Sequence, residues 1–436
     1  MPADDVDKVG HANLMMDNAA NQIPLRRFKN MPKTSSISRR RFAQLFAAGT
    51  ACVVARGTSM AGPMISGRLA PPATHFSPTA GLLRLNSNEN PYGPSPMALK
   101  AMTDAFSLAW RYPDEHADLL IETLAKTNGV QRDQVLLGDG SGEILKLCAA
   151  AFTGPLTADN DRSVTLAQPT RGGALKFRPG RGKLIVADPT FEAILNHANI
   201  NQAEVVKVPL TSSFGHDLPN MLSAASEGLI YICNPNNPTA SITPKSDVRE
   251  FIAKVPRQTM ILVDEAYFHY ADNPDYETVI PLIKDQPNLI VARTFSKIYG
   301  MAGLRLGYCV AQPETIQRLR PHQTWDSVNI MALAAGIASL RDSDQVANGR
   351  RMNSQTKIFL SGKLEAMGYK HIPSQANFLM IDIKRPARPM IQALGERGVQ
   401  VGRVFPALPN HMRVTIGKRP EMETFLTAFR QVVGTA

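Results

Sequence analysis

The sequence predicts an α/β protein with a large domain around a mostly parallel sheet and a smaller α+β domain built from both ends of the chain. Three observations carry this. From about residue 126, short apolar runs alternate with amphipathic stretches, as strands covered by helices do. The runs are apolar at successive positions, so both faces are buried, which suits parallel strands. A chain of 436 residues is also too long for one small core and suits a large domain with a lesser one.

Taken in order, residues 1–61 stand apart. They hold nine Lys or Arg against four Asp, which is +5 of the chain's net +11. The remaining +6 is modest, and no recognisable module gathers it into a basic stripe, so nucleic acid is not an expected partner. Within this segment Ser38-Arg39-Arg40-Arg41-Phe42 precedes a moderately apolar run to Ala55 and then Ser59-Met60-Ala61. A basic cluster, an apolar run and small residues in that order have the architecture of a signal peptide. The Ser-Arg-Arg-Arg-Phe run resembles the twin-arginine export motif. That resemblance implies the twin-arginine translocase as a partner, cleavage after Ala61 and a periplasmic location. No run of eighteen apolar residues occurs, so a permanent membrane span is not expected.

Residues 62–125 and 346–436 are assigned to the smaller domain. The later segment carries a helical stretch at Asn353–Met367 and strands at Gln375–Ile383 and Met412–Ile416. Residues 126–345 are assigned to the large domain. Its strands are placed at Gln134–Leu137, Lys183–Ala187, Ala203–Val208, Leu229–Cys233, Met260–Val263, Leu289–Ala292 and Leu306–Val310. Residues 155–182 show no clear period and read as a surface loop. The four cysteines, Cys52, Cys148, Cys233 and Cys309, have no metal-ligand spacing, so no metal site is expected. The last three read as small buried core residues.

Five of the strands run into unusually polar turns. Gly138-Asp139-Gly140-Ser141-Gly142, Asp188-Pro189-Thr190-Phe191, Asn234-Pro235-Asn236-Asn237-Pro238, Asp264-Glu265-Ala266-Tyr267 and Thr294-Phe295-Ser296-Lys297 all lie just past a carboxyl end. Open α/β sheets bind ligands at that edge. A lysine desolvated there has a depressed pKa and can form a Schiff base with an aldehyde. The neighbours of Lys297 meet the further needs of pyridoxal 5'-phosphate. Asp264 can hold a proton on the ring nitrogen, and Asn237 and Tyr267 can bond its phenolic oxygen. Phe191 offers a face for stacking. Gly140, Ser141 and Gly142 at a helix start, with Arg305 and Ser296, can hold the phosphate.

With Asn86-Ser87-Asn88-Glu89-Asn90-Pro91-Tyr92-Gly93-Pro94, Arg111-Tyr112-Pro113, Asn-Pro-Asn-Asn-Pro-Thr at 234–239 and Arg413-Val414-Thr415-Ile416-Gly417, this set resembles the fold-type I aminotransferases. It is most similar to their histidinol-phosphate aminotransferase-like branch, over about residues 82–430. The resemblance implies a homodimer in which Tyr112 reaches the partner's cofactor phosphate, and Lys297 as the residue that joins the cofactor and shuttles the proton. It also implies Tyr92, Asn377 and Arg413 as substrate contacts, with Arg413 gripping a carboxylate. An amino donor and a keto acid acceptor are the implied substrates.

Two departures bear on substrate. Gly142 stands where the family usually has an acidic residue. Gly402 stands where enzymes for histidinol phosphate carry an arginine, with Arg403 beside it. In a strand, a one-residue shift turns a side chain to the other face, so Arg403 is expected to point away from a phosphate site. Together with the export motif, this favours an extracytoplasmic amino acid or amino-acid-bearing metabolite, such as a peptide siderophore precursor. Histidinol-phosphate transamination, and decarboxylation, cyclisation or racemisation on the same site, are the alternatives. A regulator using this fold would carry an N-terminal DNA-binding helix-turn-helix, and the first 80 residues carry the export pattern instead.

Overall fold

The computed structural model describes residues 81–156, 164–168, 173–177 and 179–434. The twin-arginine motif and the rest of 1–80 lie outside the described residues.

Strand β1 (Leu83–Leu85) opens the described chain. The main sheet has seven strands: β2 (Val135–Asp139), β5 (Lys183–Asp188), β6 (Val205–Pro209), β7 (Gly228–Cys233), β8 (Thr259–Asp264), β9 (Leu289–Thr294) and β10 (Leu306–Ala311). They lie in the order β2-β10-β9-β8-β7-β5-β6. All pairs from β9 to β6 are parallel, and β10 runs antiparallel to both its neighbours. These are the seven strands expected from the sequence, with ends shifted by at most two residues.

The two-residue period of a strand explains why both faces had to be apolar. On β8, Ile261 and Val263 join one buried cluster while Met260 and Leu262 join another. On β9, Leu289 and Val291 divide from Ile290 and Ala292 in the same way. Helices cover each face. Helix Pro96–Ala105 starts on Ser95, whose Oγ accepts from the Ala98 amide at 3.3 Å, with proline in its first turn. Such a cap stabilises a helix by about 1 kcal/mol. Helix Asp114–Asn128 ends on Gly129 at φ +67°, the left-handed position that favours glycine.

A further buried cluster lies under the three-stranded antiparallel sheet of β11 (Lys370–Ile372), β12 (Phe378–Asp382) and β14 (His411–Thr415). β1 pairs in parallel with β13 (Val399–Val401), so the two ends of the described chain meet here. Of the segment 62–125, β1 joins this unit, whereas helices Pro96–Ala105 and Asp114–Asn128 pack on helix Ile330–Arg341.

The loop expected over 155–182 is corrected by the structure. β3 (Val164–Gln168) and β4 (Gly173–Phe177) pair as an antiparallel hairpin. Two five-residue runs flanking residues 169–172 form it, each too short to show a period alone.

Candidate active site

The five turns after β2, β5, β7, β8 and β9 converge on one cavity of about 400 Å³ at the carboxyl edge of the main sheet. Ser141, Gly142, Phe191, Asn237, Asp264, Tyr267, Ser296, Lys297, Arg305 and Arg413 all line it. Parallel strands place successive loop starts side by side, which is why turns far apart in sequence meet.

Lys297 is half-buried, and its Nζ donates to the carbonyl of Asn88 at 3.0 Å and to that of Ser87 at 3.4 Å. Burial first, then the charge of Arg413, lowers its pKa to about 8, against the opposing pull of Glu89 and Asp264. Asp264 is 2% exposed. Its Oδ2 accepts from the Tyr231 hydroxyl at 2.9 Å and its Oδ1 from the Ala266 amide at 3.0 Å. Desolvation raises its pKa to about 6. Tyr267 is buried, and its hydroxyl accepts from Asn88 Nδ2 at 3.0 Å.

At the other end of the cavity, helix Gly140–Phe152 begins. Asp139 caps it with no side-chain bond, and amides of a first turn have no intrahelical partner. Arg305 reaches over this helix start, so close that a Cβ on Gly140 would come within 2.2 Å of its Nη2. Gly140 also sits at φ +73°, so only glycine serves here. Arg305 itself is held at φ +60°, a conformation that costs a side-chain-bearing residue roughly 1–2 kcal/mol. Its Nη1 donates to Ala302 O at 3.0 Å and lies 3.5 Å from Ser296 Oγ.

Arg413, on β14, is half-buried and lies near the rings of Phe378 and Phe405. Its Nη1 donates to Asn237 Oδ1 at 2.7 Å and its Nη2 to Asn86 O at 2.8 Å. Its buried Nε has no hydrogen-bond partner among the described residues. A half-buried guanidinium with a spare donor can accept an anion as a partner.

Four expected site residues are not in the cavity lining: Gly140, beneath Arg305 at the helix start, and Tyr112, Tyr92 and Asn377. Tyr112 is 82% exposed and Tyr92 41%. Asn377 is buried, and its Nδ2 supports the backbone carbonyls of Asn88 at 3.0 Å and Glu89 at 3.2 Å.

The expectation for Arg403 is overturned, because it lines the same cavity as Arg413. Strand β13 stops at Val401, so the alternation of faces no longer governs residue 403. Gly402 lies against β14, its amide donating to Arg413 O at 2.8 Å. A Cβ at 402 would come within 2.9 Å of Arg413 Cβ. The space an arginine would need there is therefore filled by Arg413. Arg403 packs on Phe405 and pairs with Glu192. Glu192, Phe405 and Asn88 were not among the expected site residues. Asn88 stood inside a quoted motif, but nothing in the pattern marked Glu192.

The chain is similar to known proteins in sequence and fold. The family model "Aminotransferase class I and II" matches residues 80–429. The chain belongs to the class I and II aminotransferases. It is 36% identical over 357 residues to the histidinol-phosphate aminotransferase of Moorella thermoacetica, covering 81% of this chain and 86% of that one. It is 37% identical over 356 residues to the enzyme of that name from Symbiobacterium thermophilum, covering 81% and 91%. Among solved structures, histidinol-phosphate aminotransferase from Sinorhizobium meliloti in complex with pyridoxal-5'-phosphate matches with a TM-score of 0.71 and 25% identity, over 81% of this aminotransferase and 91% of that chain. Among the described residues of this aminotransferase, no cluster of His, Cys, Asp and Glu could hold a metal ion, and no helix is long and apolar enough to cross a membrane.

Proposed function

We propose that this pyridoxal-phosphate-dependent aminotransferase takes histidinol phosphate as its amino donor. The observation that carries the reading is that two arginines, Arg403 and Arg413, line one cavity with Lys297. A phosphate dianion leaving water needs more than one charge-assisted partner. The relatives support the same reading over the extracytoplasmic donor expected from the sequence.

The residues fit the cofactor. A helix start cradled by Arg305 suits its phosphate, the buried carboxylate of Asp264 suits its ring nitrogen, and Lys297 lines the same cavity. When bound, the cofactor supplies an aldehyde for the amine and a ring that withdraws electrons from the carbon losing its proton. Asp264 keeps the proton on the ring nitrogen. Asn237 and Tyr267 orient the ring, with Phe191 at its face. Lys297 Nζ would take the proton from the donor's α-carbon and pass it to a second carbon on the cofactor side rather than back, as an amine of pKa about 8 can near neutral pH. Arg413 holds the donor's anionic group. A homodimer is part of this proposal, supported by the exposed Phe106, Trp110 and Tyr112, aromatics suited to a second copy. Sedimentation as a monomer would remove it.

One observation favours a second reading, a glutamate-like α-amino carboxylate, free or within a peptide. Arg403 is already paired with Glu192, so an incoming dianion must compete with a fixed carboxylate. Comparing kcat/KM for histidinol phosphate, glutamate and an N-terminal glutamyl peptide decides. Histidinol phosphate is expected to lead by at least about tenfold, a difference of about 1.4 kcal/mol. A lead for the peptide would overturn the first reading.

Export is proposed on the twin-arginine motif alone. Arg39→Lys with Arg40→Lys is expected to retain the full-length, active chain in the cytoplasm, read by fractionation and mass. Normal processing and export of the double variant would end that proposal.

A further inference from the structure

We propose that Tyr231 is a positioning residue of the site, its hydroxyl holding the Asp264 carboxylate in the form that leaves the proton on the cofactor's ring nitrogen. The inference rests on the reading that Asp264 faces that nitrogen.

The register makes the contact possible. β7 and β8 pair in parallel with Tyr231 opposite Leu262 and Cys233 opposite Asp264. Tyr231 and Asp264 therefore project from the same face of adjacent strands, one pleat apart, a diagonal that a tyrosine spans. Tyr231 is wholly buried, with its ring in the apolar cluster of Leu229, Leu262 and Ile290. A phenylalanine would fill this space equally well. A hydroxyl in such a place costs free energy unless it is bonded, and its bond goes to Asp264 Oδ2 at 2.9 Å.

Several groups face the Asp264 carboxylate. Lys297 lies past the end of β9, Cys233 at the end of β7, and Tyr267 and Tyr276 beyond β8. Glu265 adjoins it but is held by Arg293 at 2.8 Å. Burial makes Asp264 more basic. The Tyr231 hydroxyl is the largest opposing influence, ahead of the Ala266 amide and Lys297. A less basic carboxylate yields the shared proton to the ring nitrogen. Without the hydroxyl, that proton moves back toward Asp264.

The test is Tyr231→Phe, an isosteric change. In the holoenzyme carrying ring-15N cofactor, the nitrogen resonance is expected to move toward that of unprotonated pyridine. In the cofactor-free protein, the carboxyl infrared band of Asp264 is expected to titrate roughly one pH unit higher, a tenfold change in its proton affinity. Should the variant fold poorly, 3-fluorotyrosine at position 231, a more acidic donor, is expected to move both readouts the opposite way. A changed melting temperature with both readouts unmoved would make Tyr231 merely structural and overturn the proposal. Asp264→Asn separates the two readings. If it leaves the nitrogen resonance at the protonated position, Asp264 does not face the ring, and the underlying reading fails rather than the role of Tyr231.

Discussion

Lys297→Ala is expected to lower turnover with every amino donor by at least about 10⁴-fold, because one side chain serves as both nucleophile and proton carrier. The fold is expected to survive, since the Nζ donates to two backbone carbonyls, of Asn88 and Ser87, and lies 5.5 Å from the Tyr267 ring without any ion pair to lose among the described residues. The visible band of lysine-linked cofactor is expected to vanish together with activity. The pH dependence derives from the cause of the lowered pKa. At pH 7, a lysine of pKa about 8 is neutral in roughly one molecule in ten, against roughly one in three thousand at the ordinary 10.5. Uptake of the cofactor by the cofactor-free enzyme, followed by stopped-flow absorbance, is therefore expected to quicken from pH 6 and level off above about 8. Substantial steady-state transamination by the alanine variant would sink the assignment. A plateau only near pH 10 would show that Lys297 is not desolvated as the geometry requires.

The sequence made this much legible because buried parallel strands are apolar at successive positions and their turns are not. β7, β8 and β9 could be found from composition alone. So could the polar residues at their ends, Asn237, Asp264 and Lys297, because an aspartate closing an apolar strand is conspicuous. The hidden features depend on where strands end and how they pair. Arg403 was placed on the wrong side because β13 stops at Val401, a boundary no residue type announces. The Tyr231–Asp264 bond needs the β7–β8 register. Asn377 enters as a substrate contact only through the family resemblance. Only the fold reveals that its Nδ2 donates to the backbone at Asn88 and Glu89, while its Oδ1 has no partner among the described residues. Tyr112 carries no partner that one chain could show.

Arg413→Lys is expected to lower kcat/KM for histidinol phosphate by roughly 10²–10³-fold, mostly through KM. Two arginines line the cavity, and their surroundings decide which one matters more. Arg403 is about half exposed and already paired with Glu192, so water and that carboxylate screen its charge. Arg403→Gln is therefore expected to cost a smaller factor than Arg413→Lys, about tenfold, as the loss of the weaker of two partners. Arg413 is half-buried beside two aromatic rings, with desolvation as the first cause lowering its pKa. Its charge has no carboxylate partner within salt-bridge distance among the described residues, only the oxygens of Asn237 and Asn86. A cation left in that state is stabilised when an anion arrives. Removing such a partner typically costs about 2–5 kcal/mol. Lysine keeps the charge but not the planar fork. It cannot hold Asn237, Asn86 and a substrate oxygen together, and its compact ammonium is the more strongly hydrated ion. Initial rates across donor concentrations for both variants, with circular dichroism to confirm folding, provide the measurement. If Arg413→Lys stays within threefold of the parent enzyme, or Arg403→Gln loses as much as Arg413→Lys, the anion is not held chiefly at Arg413.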